Sequence, residues 1–532
     1  MTATQPTATG HDRLPLATIL RRLSRLIHTR RVLIDPAALF AEPFDPPADA
    51  RTLTAKEPGR LYLFEPEHLD RLRRLPETVT PADIAALLEQ PTREVMDERF
   101  LPLDHPEGII ARFNRWFYLG KGEKAFAEGQ VPTGLARDPH LCRAEAALLA
   151  KLVGRGQGEP TVLKLGAGCD IEPVRLLFEG LSETDAALAA RARVIVSDVS
   201  PPLVAEARRR AGLDPLLSRL AENGQLSFEV IDARAPELGR RRFLLIQSSY
   251  LYDSLPQREL ARIGGRWYEF KARPKLLSFS RRDEFLSLLR SDDLAGLGRI
   301  VTHHFGYLDW EVALDPLAPG EVPWHGELED ICRGAQDVAV PLGDALVAGC
   351  EALLPHLAEG GAVQTFDLGI YGLPENDPHL KPAFKGPHRI CAALFLGQNF
   401  ALARRLFAGR GLKVSLLAPD RYLEEIFGQE VLCLDRLWEA LHKGPEALDD
   451  LLGTGFTGTF QGCLEGEGGG VLRRIARGHF LTRSEAEALA AGLSEAGQDG
   501  AGFVRALFGA KGALGEIEAN TYWQFRLGGD GI

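Results

Sequence analysis

Residues 161–173 (TVLKLGAGCDIEP) open with the apolar positions Val162, Leu163 and Leu165, break at Gly166-Ala167-Gly168, and resume as a helix near Pro173. A short apolar run bounded by glycine reads as a buried strand. Glycines between a strand and a helix let the backbone approach a ligand at the carboxyl end of a parallel sheet. Such turns are common in α/β proteins, and the order of the next three strands gives this one its weight. Residues 194–198 (VIVSD) and 228–232 (FEVID) are apolar strands that each end in an acid. Residues 243–247 (FLLIQ) form a fourth strand, running into the polar and aromatic turn 248–253 (SSYLYD). A strand and glycine turn, two strands ending in acids and a strand ending in a polar turn, with helices between, is the layout of a nucleoside-cofactor site.

The flanking pattern is different. Residues 16–27 (LATILRRLSRLI) place apolar and basic residues at helical spacing, and Thr80 caps a helix with proline in its first turn. Residues 1–104 therefore read as a helical accessory region. Residues 114–134 mix glycines and aromatics and read as a loop, either a lid over the site or an irregular packed segment. Residues 144–153 read as a helix leading into the core. Residues 272–335 look like an insertion with few regular signals. Beyond them come a helix at 344–357, a glycine turn and strand at 360–369, a helix at 399–410 and a strand at 412–417. The tail from 436 to 532 reads as helical, broken by glycines at 466–470. The pattern predicts an α/β fold with a doubly wound, mainly parallel sheet over 105–435 and helical additions at both ends.

Composition narrows the function classes. A chain of 532 residues has room for two or three folding units. A net charge of −11 argues against a general nucleic-acid binder, which needs a basic surface to release counterions. No run of about 18 apolar residues appears, so no membrane span is expected, and the polar first residues do not read as a secretory signal. Seven scattered cysteines without a CxxC pair fit a reducing cytoplasm better than a disulfide framework or a zinc ribbon. No metal site is expected.

The ordered motifs resemble those of class I S-adenosylmethionine-dependent methyltransferases, and more narrowly the MidA family, relatives of the mitochondrial arginine methyltransferase that assists complex I assembly. VLKLGAG is similar to the family's strand and glycine turn, and VIVSDVSPPLVAEARRR to its strand, acid, Ser-Pro and arginine-rich helix. SSYLYDSLP with GGRWYEF, VAVPLGDALVAGCEALLPHLAEGGAVQTFDLG and NFALARRLFAGRGLKV come next in the family's order, over residues 105–435. The resemblance implies S-adenosylmethionine as cofactor. Gly166, Ala167 and Gly168 would pass under its methionine part. Asp198, followed by Val199, would hold the ribose hydroxyls, unless it only favours a helix N-terminus. Asp232, followed by Ala233, would accept from the adenine amino group, unless it is a simple turn residue. Gln247 closes the fourth strand, and Asp170 either meets the cofactor's ammonium or caps the next helix.

Three positions depart from the family pattern. Lys164 replaces the usual acid of the first strand, where a cation would repel the sulfonium unless paired, with Asp170 or Asp367 the expected partners. Asp170 replaces a third glycine. Ser249-Tyr250 replaces the Asn-Glu pair that faces an arginine substrate, and a guanidinium acceptor needs carboxylates. Asp253 and Tyr250 are the candidate catalytic residues, with Tyr250, Tyr252 and Trp267 forming an aromatic mouth. The expected acceptor is a protein side chain or a small molecule. The alternative is a catalytically silent relative acting as a binding or assembly factor. A nicotinamide-dependent dehydrogenase is disfavoured by the missing third glycine. The sequence sets no oligomeric state.

Overall fold

The structure is a computed structural model that describes residues 13–27, 32–46, 51–93, 95–127, 135–154, 159–277, 279–304, 306, 308–335, 337–370, 387–390, 393–452, 479–495, 497, 499–514 and 522–528. Its main sheet contains β1 (Thr161–Leu165), β2 (Arg193–Asp198), β3 (Leu226–Val230), β4 (Phe243–Ser249), β5 (Leu357–Ile370), β6 (Lys413–Leu417) and β7 (Tyr522–Gly528). The strands lie in the order β6-β7-β5-β4-β1-β2-β3. The pairs β5-β4, β4-β1, β1-β2 and β2-β3 are parallel, with Val162 opposite Val194 and Gln247 opposite Lys164. Strand β7 runs antiparallel to its neighbours β5 and β6.

Both faces of this sheet are apolar, so its strands read as near-continuous hydrophobic runs. Val162, Val194 and Val196 pack beneath α1 (Pro139–Val153), α2 (Glu172–Thr184) and α3 (Pro201–Ala211). Leu163, Leu165 and Ile195 face the other way, among residues of α4 (Asp344–Leu353) and α5 (Phe400–Gly409). Helix α1 starts at the Asp138 cap, whose carboxylate accepts from His140 N and Leu141 N, and Leu141, Leu148, Leu149 and Leu152 bury one stripe.

The expectation of purely helical additions is corrected at both ends. The C-terminal strand β7 (YWQFRLG) enters the main sheet, burying Phe525 and Leu527 against Phe400 and Phe407 while Arg526 pairs with Glu425 at 2.8 Å. In the N-terminal region, Val32–Ile34, Thr52–Leu53, Leu61–Phe64 and Leu101–Pro102 are strands of a second sheet. Its other strands are Glu259–Ile263, Arg266–Leu276, Leu308–Pro316 and Asp337–Pro341, so the segment read as an irregular insertion is largely regular. Buried charge disguises it. Arg273 donates to Glu311 at 2.7 Å and lies over the Phe100 ring at 4.1 Å, and Lys275 reaches Glu65 at 2.9 Å. The strands at 266–276 and 308–316 look polar in sequence because Arg273, Lys275 and Glu311 are buried in ion pairs among their apolar residues.

Candidate functional site

A cavity of about 500 Å³ opens at the carboxyl ends of β1, β2 and β4. The sheet order reverses between β1 and β4, and a crevice at such a point is where open α/β sheets bind ligands. Gly166 makes the turn possible: its φ is +64°, and a Cβ there would stand 2.6 Å from Leu251 Cδ1.

Of the residues named from sequence, Lys164, Gly166, Ala167, Asp170, Asp198, Val199, Gln247, Ser249 and Tyr250 line this cavity. Asp198 ends β2; its Oδ2 accepts from Gly168 N at 3.0 Å and its Oδ1 from Ser200 N at 2.9 Å. Burial raises its pKa, and the backbone donors of Ser200, Gly168 and Val199 oppose that rise. Gly168 thus orients Asp198 from outside the cavity lining. Asp232 and Ala233 are also absent from the lining. Both Asp232 oxygens are held by Arg234, at 3.1 Å through Nε and 2.7 Å through a terminal nitrogen, and Arg234 itself lines the cavity.

The polar turn after β4 divides in two. Tyr250 lines the cavity with a φ of +54°, sparsely populated for a residue with a side chain, and its ring meets Phe366 edge-on. Asp253 is buried away from the cavity against Asp367. Burial, and then the neighbouring Asp367 charge, push its pKa well up. Asp367 accepts from Tyr252 N at 2.8 Å and Leu368 N at 3.0 Å, so the proton of the pair belongs on Asp253. The pair fixes the turn. Tyr252 is buried with its ring against Gly349, and Trp267 donates to Glu329 at 2.6 Å in the second sheet, so neither forms the expected aromatic mouth.

Tyr118, with Tyr250, supplies the aromatic lining of the cavity instead. The segment read as a loop is helical: Ile109–Asn114 continues into a π-helix at Arg115–Lys121 that sets Asn114, Arg115, Tyr118 and Leu119 on the cavity wall. Residues 128–134 of that segment lie outside the described residues. Gly120 allows the close approach, since a Cβ there would sit 2.2 Å from Leu294 O. Burial and the acids Asp253, Asp198 and Asp367 raise the Tyr118 phenol, which stays a neutral donor. The aromatic cluster 116–118 is the sequence signal for this wall.

The expected partners of Lys164 are corrected. Asp170 is held by Arg137 at 2.6 Å and Asp367 by the turn. Lys164 Nζ instead donates to Glu145 Oε2 at 3.0 Å and to Gln247 Oε1 at 2.6 Å, and Gln247 Nε2 closes the triangle on Glu145. Glu145, an acid on the buried stripe of α1, is a site residue that the sequence motifs do not single out. Its one signal is a lone charge on an apolar helical face.

Among the described residues no cluster of three or more metal-ligating side chains occurs, and no helix is long and apolar enough to cross a membrane. Cys142, Cys169, Cys332, Cys350 and Cys433 are free thiols.

No protein-family model matches the chain, and no curated protein matches it. Solved structures do. A COG1565 superfamily protein from Burkholderia thailandensis is 18% identical, with a TM-score of 0.42, covering 67% of this chain and 84% of its own. Another member from that organism, bound to S-adenosyl-homocysteine, is 15% identical with a TM-score of 0.44, covering 80% and 87%. Magnesium protoporphyrin IX methyltransferase from Synechocystis, with bound SAM, is 13% identical with a TM-score of 0.24, covering 57% and 82%.

Proposed function

We propose that the chain is an S-adenosylmethionine-dependent methyltransferase of MidA-like type. One observation carries the reading: Asp198 and the Gly166 turn meet on one cavity at the point where the sheet order reverses. The Asp198 carboxylate accepts backbone N–H groups from Gly168, Ser200 and Val199 and, with about four acceptor positions, has room left for a ribose hydroxyl. The antiparallel β7 between β5 and β6 departs from the 3-2-1-4-5-6 order of dinucleotide-binding sheets, which weighs against a dehydrogenase.

Transfer from a sulfonium asks little chemistry of the protein. When bound, the cofactor supplies an activated methyl group, and alignment of the acceptor gives most of the rate. Tyr250 and Tyr118 form the wall that would hold the acceptor, while Asp253 keeps the Tyr250 turn in place. Of the acids lining the cavity, Glu145, Asp170 and Asp198 are each engaged, and Asp104 stands exposed at the rim. That set does not offer the paired carboxylates a guanidinium requires, so a less charged acceptor, on a protein or a small molecule, is favoured over arginine.

Incubating the protein with methyl-labelled S-adenosylmethionine and a host lysate tests this. Label is expected in a protein or small-molecule fraction, and not as dimethylarginine. Dimethylarginine would overturn the acceptor reading. Cofactor binding without any transfer would favour a silent binding factor.

A further inference from the structure

An ammonium and a carboxylate, both buried, stand side by side on the cavity wall. Lys164 and Glu145 are 7% and 8% exposed, lie 3.0 Å apart and line the cavity together with Gln247. Desolvating two charges costs much of what their attraction returns, so an ion pair is a weak device for stability alone. Placed on a cavity wall, this one points to a ligand.

An ammonium has three donors. Among the described residues Lys164 Nζ gives one to Glu145 and one to Gln247, leaving one. The Glu145 carboxylate has about four acceptor positions, and it takes one bond from Lys164 and one from Gln247 Nε2. Gln247 is directly opposite Lys164 in the β1-β4 ladder, so the strand register itself holds the triangle together. The wall therefore offers a spare donor on a cation and spare acceptors on an adjacent anion. A head group that satisfies both carries a carboxylate and an ammonium on one carbon.

We propose that Lys164, Glu145 and Gln247 form a receptor for a zwitterionic α-amino-acid head. Lys164 takes the α-carboxylate, Glu145 takes the α-ammonium, and Gln247 fixes the two side chains. The ligand head is the methionine end of the cofactor, and in this the proposal rests on the methyltransferase reading. The lysine is then half of a binding pair whose acid comes from helix α1.

The test compares S-adenosylhomocysteine with 5′-methylthioadenosine, which keeps the nucleoside and thioether but lacks the amino-acid head. Wild-type protein is expected to bind S-adenosylhomocysteine the more tightly. The neutral double variant Glu145→Gln/Lys164→Met is expected to lose that preference by about tenfold or more while binding 5′-methylthioadenosine as before. Unchanged 5′-methylthioadenosine affinity also reports that the variant folds. If the double variant does not fold, Glu145→Gln alone is read the same way. A preference that survives the substitutions, or a wild-type protein that binds both ligands equally, overturns the receptor and leaves the cofactor site standing. Wild-type protein that binds neither ligand overturns both.

Discussion

Two buried lysine–glutamate pairs with nearly the same geometry invite comparison. Lys164 meets Glu145 at 3.0 Å in the main sheet, and Lys275 meets Glu65 at 2.9 Å in the second. The first pair stands on a cavity wall beside an amide; the second is absent from that cavity and has a further acid, Asp309, at 3.5 Å. A buried ion pair thus does not declare its role by burial or distance. What it faces does. The second sheet uses its charges to pin strands across long sequence separations, and the main sheet sets its pair where a ligand can reach it.

That contrast breaks most visibly on stability. Lys275→Met removes the cation of a buried ion pair and is expected to destabilise the fold by about 3–5 kcal/mol. Denaturant unfolding measures this, and S-adenosylhomocysteine affinity of the folded fraction should stay at the wild-type value. Asp198→Ala should do the reverse. Loss of two ribose hydrogen bonds costs about 2–3 kcal/mol of binding, more than tenfold in affinity, with a smaller stability loss than at Lys275 as the Gly168 and Ser200 N–H groups give up their acceptor. An unchanged dissociation constant would move the ribose elsewhere.

A third test uses the tie between α1 and the C-terminal region. His140 lies 2.7 Å from Glu485 and 3.3 Å from Asp138. Burial lowers its pKa, but those two acids outweigh burial and carry it up to about 9. A raised folded-state pKa means the stabilisation is fully present below the unfolded value of about 6.5 and is lost as pH rises through about 9. Because Glu485 is 39% exposed, about 1–2 kcal/mol is expected. His140→Gln should flatten the melting temperature between pH 7 and pH 10 relative to wild type. An equally steep fall in the variant would place the titration on another group. The smallest effect is expected at Asp232→Asn. Its carboxylate is committed to an exposed arginine fork, and S-adenosylhomocysteine affinity should change by less than about 1 kcal/mol. A larger loss would mean that Asp232 turns to the adenine on binding.

The same contrast explains what the sequence makes legible. The main sheet is readable because β1, β2 and β4 are apolar on both faces and end at the site in a glycine turn, an acid and a polar turn respectively. The second sheet is not, because Arg273 and Lys275 occupy inward positions that periodicity scores as solvent-facing. Strand β7 escapes because its partners β5 and β6 precede it by more than a hundred residues in sequence, and no local signal announces a strand that completes a distant sheet. Glu145 escapes for a related reason: a single acid on an apolar helix is meaningful only once the register brings Lys164 and Gln247 beside it. Tyr118 is half visible. Its aromatic neighbourhood marks a wall of the site, while the π-helical turn that aims it depends on Gly120 packing closely against the backbone at Leu294.

Calorimetric titration of the full chain with S-adenosylhomocysteine, and in parallel with NAD, tests the central claim most directly. One S-adenosylhomocysteine is expected to bind per chain, weakened more than about tenfold by Asp198→Ala, with no heat from NAD. Saturable binding of NAD, or no binding of S-adenosylhomocysteine by the wild-type protein, would contradict it.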